Sequence, residues 1–200
     1  MKKQLIAAAV LSTLLSGAAF AQQTTEGPYM VRVRAVSLQS ANGDSTGLGL
    51  TIDNKVIPEI DFTYFINKNV AVELVLTVPQ KQKLSSNGTE IGTLYHLPPT
   101  LLAQYHFNLN GFKPYVGAGV NYTRFSSVHV LGGAVIVDKN SWGPALQVGV
   151  DIPLSQNLYL NFDLKKVYIQ TDVSFAASGT KVGTFKIDPL LVGVGLGWRF

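Results

Sequence analysis

The sequence has no cysteine, which removes disulfides and thiolate metal sites from consideration. Histidine is scarce as well. His96, His106 and His129 stand far apart, and none lies two or four residues from another, the spacing that places two imidazoles on one metal ion. Charge is sparse: 14 % of residues are charged, against about a quarter in soluble domains, while 46 % are hydrophobic. No basic run is present, so nucleic acid is not an expected partner. Past the N-terminus no stretch of about 18 apolar residues occurs, which excludes a transmembrane helix.

Residues 1–21 read as a signal peptide. Lys2 and Lys3 give the charged start, Leu5 to Leu15 the apolar core, and Ala19-Phe20-Ala21 the small-x-small cleavage site. That core is too short to span a bilayer. Loss of Lys2 and Lys3 leaves 14 basic and 12 acidic residues, a net +2. Residues 22–200 suffice for one domain or one barrel. An exported, apolar chain without a spanning helix points to an outer membrane.

What the chain has is alternation. Its end reads D-P-L-L-V-G-V-G-L-G-W-R-F (Asp188 to Phe200). Leu190, Val192, Val194, Leu196, Trp198 and Phe200 fall on one face, and Leu191, Gly193, Gly195, Gly197 and Arg199 on the other, the two-residue period of a strand. An apolar face ending in aromatics suits a strand whose outside meets lipid. The same period predicts seven earlier strands: one from Gly27, Ile57 to Ile66, Val70 to Val78, Leu97 to Phe107, Lys113 to Thr123, Trp142 to Ile152, and one from Leu158 through Leu164. Short turns (Asn67 to Asn69, Asn108 to Gly111, Ser155 to Asn157) alternate with long loops at about residues 40–54, 80–96, 125–140 and 171–184.

The fold class that follows is all-β, an eight-stranded antiparallel transmembrane up-and-down β-barrel. Ten residues at about 3.3 Å each, tilted by about 40°, span roughly 25 Å, the height of an apolar membrane band. The alternative is a secreted sandwich or lipocalin-like barrel. It would bury the apolar rows and turn the charged ones outward.

With apolar rows toward lipid, the lumen receives Arg32, Arg34, Glu59, Asp61, Glu73, Asp151, Asp163, Lys165 and Arg199. Strands one and two are neighbours, so Arg32 and Arg34 face Glu59 and Asp61. Opposite charges should pair there, because an unpaired charge in a low-dielectric lumen is costly. A charged floor in the lower half is expected, and eight strands leave no room for a continuous aqueous pore through it. Higher inward positions are less charged: Leu38, Thr77, Thr100, Leu102, Ala145 and Leu191. Pro79, Pro98 and Pro99 fall near the outer ends of strands three and four, where a residue without an N–H interrupts the ladder. An apolar cup over a closed floor, beside a weakened wall, suggests entry from outside and sideways exit into the bilayer. The plainer alternative is that these prolines only end strands at the rim.

Several stretches carry a resemblance: V-I-P-E-I-D-F-T-Y-F (Val56 to Phe65), L-T-V-P-Q-K (Leu76 to Lys81), H-L-P-P-T-L (His96 to Leu101), Q-Y-H-F (Gln104 to Phe107), F-K-P-Y-V-G-A-G-V-N-Y-T (Phe112 to Thr123) and the final G-W-R-F. They resemble the outer-membrane protein W family over essentially the whole exported chain. The resemblance implies an eight-stranded barrel with a narrow hydrophobic channel, associated with uptake of small hydrophobic molecules. Loop three departs from it, since Val128 to Val137 is markedly apolar.

Passive transport of small hydrophobic ligands is the leading expectation. No nucleotide motif that could couple energy is visible, and no cofactor is expected. A closed barrel serving structure or surface contacts is the alternative, and bulky side chains packed in the upper lumen would favour it. A lipid-modifying enzyme would need Ser, His and a carboxylate converging near the outer leaflet. His106 sits at the wrong end for that, and His96 and His129 lie in separate loops. Gly193, Gly195 and Gly197 spell G-x-G-x-G with no helix after it, so they read as room for large lumenal neighbours such as Tyr115 or Tyr159 rather than as a phosphate cradle. Tyr64, Tyr105, Phe107, Trp142, Trp198 and Phe200 read as membrane-interface aromatics in contact with outer-membrane lipid. As the last residue, Phe200 also looks like the signal that outer-membrane insertion machinery recognises in related barrels.

Overall fold

The computed structural model describes residues 26–200. The leader expected over residues 1–21 lies outside them. Fifteen strands run through the described residues: β1 (Tyr29–Gln39), β2 (Gly43–Asp44), β3 (Leu50–Ile52), β4 (Lys55–Phe65), β5 (Val70–Thr77), β6 (Gln80–Ser86), β7 (Thr89–Leu97), β8 (Thr100–His106), β9 (Lys113–Val130), β10 (Val135–Val137), β11 (Asn140–Pro153), β12 (Leu158–Val167), β13 (Gln170–Phe175), β14 (Lys181–Lys186) and β15 (Leu190–Arg199). Eight of them, β1, β4, β5, β8, β9, β11, β12 and β15, form antiparallel pairs in that order. β15 then pairs with β1, from Met30↔Arg199 to Gln39↔Leu190, and the barrel is closed without edges.

Alternation decides which way each row looks. On β1 Met30, Arg32, Arg34, Val36 and Leu38 are buried, while Val33 is exposed. On the outer wall Leu101, Val120, Leu146, Val148, Phe162 and Val194 are exposed, a continuous apolar surface that only lipid matches. Because the chain has no cysteine, labels can be placed singly. Labels at Val148→Cys and Val194→Cys are expected to be quenched by a lipid-soluble quencher, and a label at Leu131→Cys in an outer loop is not. Shielding of the first two would remove the transmembrane orientation.

The short turns close one end. Asn67 Oδ1 accepts from the N–H groups of Asn69 and Val70, both at 2.8 Å, an Asx turn that reverses the chain between β4 and β5. Gly111 adopts φ +85 in the next turn, a conformation costly for a residue with a Cβ.

At the other end the structure corrects the expectation of four long loops. Residues 40–54 carry β2 and β3, residues 80–96 are mostly the β6–β7 hairpin, β9 continues up to Val130 before β10, and residues 171–184 lie in the β13–β14 hairpin. β9, β7, β6 and β3 prolong the barrel wall, while β10, β13, β14 and β2 form a second sheet. Leu50, Leu84, Leu94, Phe125, Val135 and Phe185 are buried together in one apolar cluster drawn from both sheets. In β6 the inward residues Gln80, Gln82 and Leu84 alternate with outward Lys81 and Lys83. Polar residues on both faces hide such a strand from hydrophobic patterning.

Candidate functional site

The lumen is built on the β1–β4 register, which sets Arg32 against Asp61 and Arg34 against Glu59. The Arg32 guanidinium is fully buried. Its Nη2 and Nε hold the two Asp151 oxygens at 2.7 and 3.1 Å. Its Nη1 reaches Asp61 Oδ1 at 3.1 Å, Thr63 Oγ1 at 2.8 Å and Glu73 Oε1 at 3.4 Å. Arg34 holds Glu59 at 2.7 Å and Glu73 and Asp61 at 3.0 Å, and donates to Asn161 Oδ1 at 2.7 Å. Lys165 joins at Glu59, 3.2 Å, and Asp163, 3.5 Å.

Three cations thus meet five carboxylates, and neutral donors complete the set. Gln147 Nε2 donates to Glu73 and Asp163, and the Tyr115 hydroxyl donates to Asp163 at 2.8 Å. Each charged group in the cluster has at least one hydrogen-bond partner, and Asp61 Oδ2, which accepts no hydrogen bond, lies 3.0 Å from the Arg34 guanidinium. Such pairing is the condition under which a buried ionic network is tolerated.

The β15 glycines give this network its space. A Cβ on Gly197 would meet Arg32 Cγ at 3.1 Å, and one on Gly193 would meet Arg34 Cδ at 3.4 Å. Tyr115 takes the room left by Gly149. The arginines, not tyrosines alone, are what the glycine row accommodates.

Arg199 stands apart from the cluster. It lies at the short-turn mouth, with Nη1 on Glu26 Oε2 at 2.7 Å, Nε on the Gly27 carbonyl at 2.8 Å, and its guanidinium over the Phe65 ring at 3.7 Å. Glu26 also accepts from the Tyr159 hydroxyl at 2.9 Å and pairs with Lys113. Partial burial pushes the Glu26 pKa up, but the bonds from Lys113 and Tyr159 and the nearby charges of Arg199 and Lys113 outweigh it, so it sits below the usual value. Sequence patterning missed Glu26 because it precedes the first strand.

Above the ion pairs the interior becomes apolar. Leu38, Leu102 and Ala145 are buried, Thr100 is buried, and Leu191 and Thr77 are half-buried. The outward-opening cup expected from the sequence is not what the structure has. Side chains from the outer sheets, among them Leu50, Leu84, Leu94, Val130, Val135 and Phe185, converge on a cavity of only about 10 Å³, room for at most one water. The apolar loop-three segment supplies Val130 and Val135 to it.

The wall beside this interior lacks part of its ladder. β5 pairs with β8 up to Val75↔Thr100, and pairing of β6 with β7 starts only at Gln80↔His96. On the other flank β4 and β5 pair up to Glu59↔Thr77, and β3 meets β6 from Ile52↔Leu84. Val78 and Pro79 therefore pair with neither neighbour. Pro98 and Pro99 form the opposite lip, their carbonyls each held at 3.1 Å by Asn121 Nδ2. Val78 and Val56 stand exposed on the outside of this window. The prolines do end strands, and the strands resume above them.

The aromatics form two groups. Tyr64, Tyr105, Phe107 and Phe200 are exposed near the short-turn end, with Trp198 half-buried there, and Trp142 is 71 % exposed at the other boundary. Tyr29 joins the first group, its ring tilted against Tyr64 at 5.3 Å and stacked on Phe200 at 6.1 Å. Tyr122 joins Trp142 at 4.8 Å.

Enzyme chemistry finds no matching arrangement among the described residues. A G-x-S-x-G string does occur, Gly43 to Gly47, but it lies in the outer region rather than at a strand-to-helix elbow, and Ser45 Oγ is spent on the Thr184 carbonyl at 3.0 Å. His106 bonds Gln104 at 3.0 Å and stacks on Tyr115 at 4.9 Å, which makes it part of the floor. No cluster of three metal-ligating side chains occurs among the described residues.

A closed eight-stranded barrel, greasy outside and ion-paired within, defines the class: an outer-membrane β-barrel protein, set in outer-membrane lipid. The chain belongs to the OmpW family, whose model matches residues 26–200. Outer membrane protein W of Escherichia coli (strain K12) is 33 % identical over 214 residues, with all of both chains covered. The dibenzothiophene metabolism operon protein PahQ of Pseudomonas aeruginosa is 30 % identical over 154 residues, covering 74 % of this chain and 72 % of that one. The crystal structure of the outer membrane protein OprG from Pseudomonas aeruginosa has a TM-score of 0.72 at 25 % identity, covering 88 % of this chain and 97 % of that one. Outer membrane protein W and OprG are, by name, outer membrane proteins.

Proposed function

We propose that the chain mediates passive uptake of small hydrophobic molecules, which enter the apolar interior from outside and leave sideways into the bilayer through the proline window. The carrying observation is the order of layers along the barrel: a sealed ionic floor, an apolar interior above it, and a lapse in the ladder at their junction. A solute that cannot pass the floor has the side wall as its way out. Kinship with a protein named for dibenzothiophene metabolism supports an apolar cargo. Because the cavity holds about 10 Å³, passage requires the outer sheets to move apart, a motion of the μs–ms kind. The same tight packing favours a second function, a closed barrel whose outer strands serve surface contacts. Export by residues 1–21 and recognition of the exposed Phe200 by insertion machinery belong to the same proposal.

The test is entry of p-xylene into asymmetric vesicles with lipopolysaccharide outside. Severalfold faster entry with protein than without, together with ion conductance near that of bare membrane, is the expected result. Entry equal to that of protein-free vesicles leaves the closed barrel standing. Large steady conductance that survives neutralising Arg32, Arg34, Glu59 or Asp61 would remove the sealed floor.

A further inference from the structure

His96 is the first inward residue above the window. Its strand partner is Gln80, the pair at which the ladder resumes, and the next inward residue along β7 is Leu94, which lines the apolar cavity. The ring packs against Phe125 with centroids 6.4 Å apart. It is 1 % exposed, and neither Nδ1 nor Nε2 has a hydrogen-bond partner. Buried polar groups are otherwise satisfied almost throughout natural proteins, and an exception calls for a cause. The neighbouring amides do not supply one, since Gln80 Nε2 bonds the Val78 carbonyl at 2.7 Å and Asn121 is committed to the proline carbonyls. An apolar side chain would fill the position at lower cost.

We propose that His96 is the binding point for a single hydroxyl group on an otherwise apolar solute, such as a phenol or alcohol, halted between cavity and window. This rests on the uptake function above and names the solute class. The chemistry follows from the ring. Burial, with Lys55 adding its charge, lowers the His96 pKa to about 4, so the imidazole is neutral at ordinary pH. One nitrogen then carries a proton and the other a lone pair. A hydroxyl can accept from the first or donate to the second. A carboxylate suits only the protonated edge, and a hydrocarbon suits neither.

p-Cresol and p-xylene share shape and differ by hydroxyl for methyl, which makes them the probes. In the ¹⁵N NMR spectrum of the full barrel in nanodiscs, the His96 ring signals should shift and saturate with p-cresol and stay still with p-xylene. In the vesicle assay p-cresol should compete for entry about tenfold better than p-xylene, the effect of one added hydrogen bond. His96→Leu removes an unpaired polar group, so folding is expected to survive, and the preference should fall to within about twofold while p-xylene entry persists. Unmoved ring signals at saturating p-cresol, or an unchanged preference in His96→Leu, would overturn the assignment. Failure of the uptake function shows separately, as no protein-dependent p-xylene entry, and the ring signals then decide the His96 site by themselves.

Discussion

Arg32→Met is expected to lower the unfolding free energy of the barrel by about 3–5 kcal/mol, the cost of breaking a buried ion pair from one side. The guanidinium bridges Asp151, Asp61 and Glu73 where no solvent reaches. Methionine fills much of its volume, so lost packing contributes little and uncompensated carboxylates contribute most. Two cations would remain for five carboxylates. Urea unfolding in lipid vesicles reads the loss. Asp151→Asn in the same chain removes the carboxylate that Arg32 holds in bidentate fashion, so Arg32→Met/Asp151→Asn should be more stable than Arg32→Met alone. A double-mutant cycle with no coupling between the two sites would mean that the network does not stabilise through this pair.

Gly195→Ala should cost about 2–3 kcal/mol, at the upper end for an overpacked site, while Gly193→Ala two residues away stays within about 0.5 kcal/mol, the range of tolerated changes. Both lie on the lumenal face of β15, and the alternation of the sequence does not distinguish them. Their neighbours differ. A Cβ on Gly193 comes no nearer than 3.4 Å to the Arg34 and Val36 side chains, an ordinary contact. One on Gly195 would overlap the Val33 carbonyl and sit 2.8 Å from Arg34 Cα, backbone that cannot turn aside. The clash falls on the β1–β15 seam that closes the barrel. Equal unfolding midpoints for the two variants would show that the seam relaxes freely.

The spanning strands were legible because lipid demands a strict pattern. A residue such as Val148 or Leu146 must be apolar on the outside, and its neighbours Gln147 and Asp151 are free to be polar only inside. That Arg32 and Arg34 would face Glu59 and Asp61 was also within reach, since consecutive strands of an up-and-down barrel lie side by side; the exact partners come from the β1–β4 register across a long connection. The outer strands were not legible. Gln80 to Ser86 alternates polar with polar, and its strand character comes from pairing with β7 and β3 rather than from its own composition. Nor did any local signal foretell that Phe185 and Leu50, far apart in the chain, would close the cup from above.

By itself the sequence determined the class of molecule: which rows meet lipid, how many strands span, and which charges must be hidden. These depend on side-chain period, a property of neighbours along the chain. Only the tertiary structure decided that Asp151, 119 residues from Arg32, is its bidentate partner, that side chains of the outer sheets close to a cavity of about 10 Å³, and that His96 is buried with both nitrogens unspent. Such facts depend on the register around a closed ring, and no stretch of sequence contains the ring.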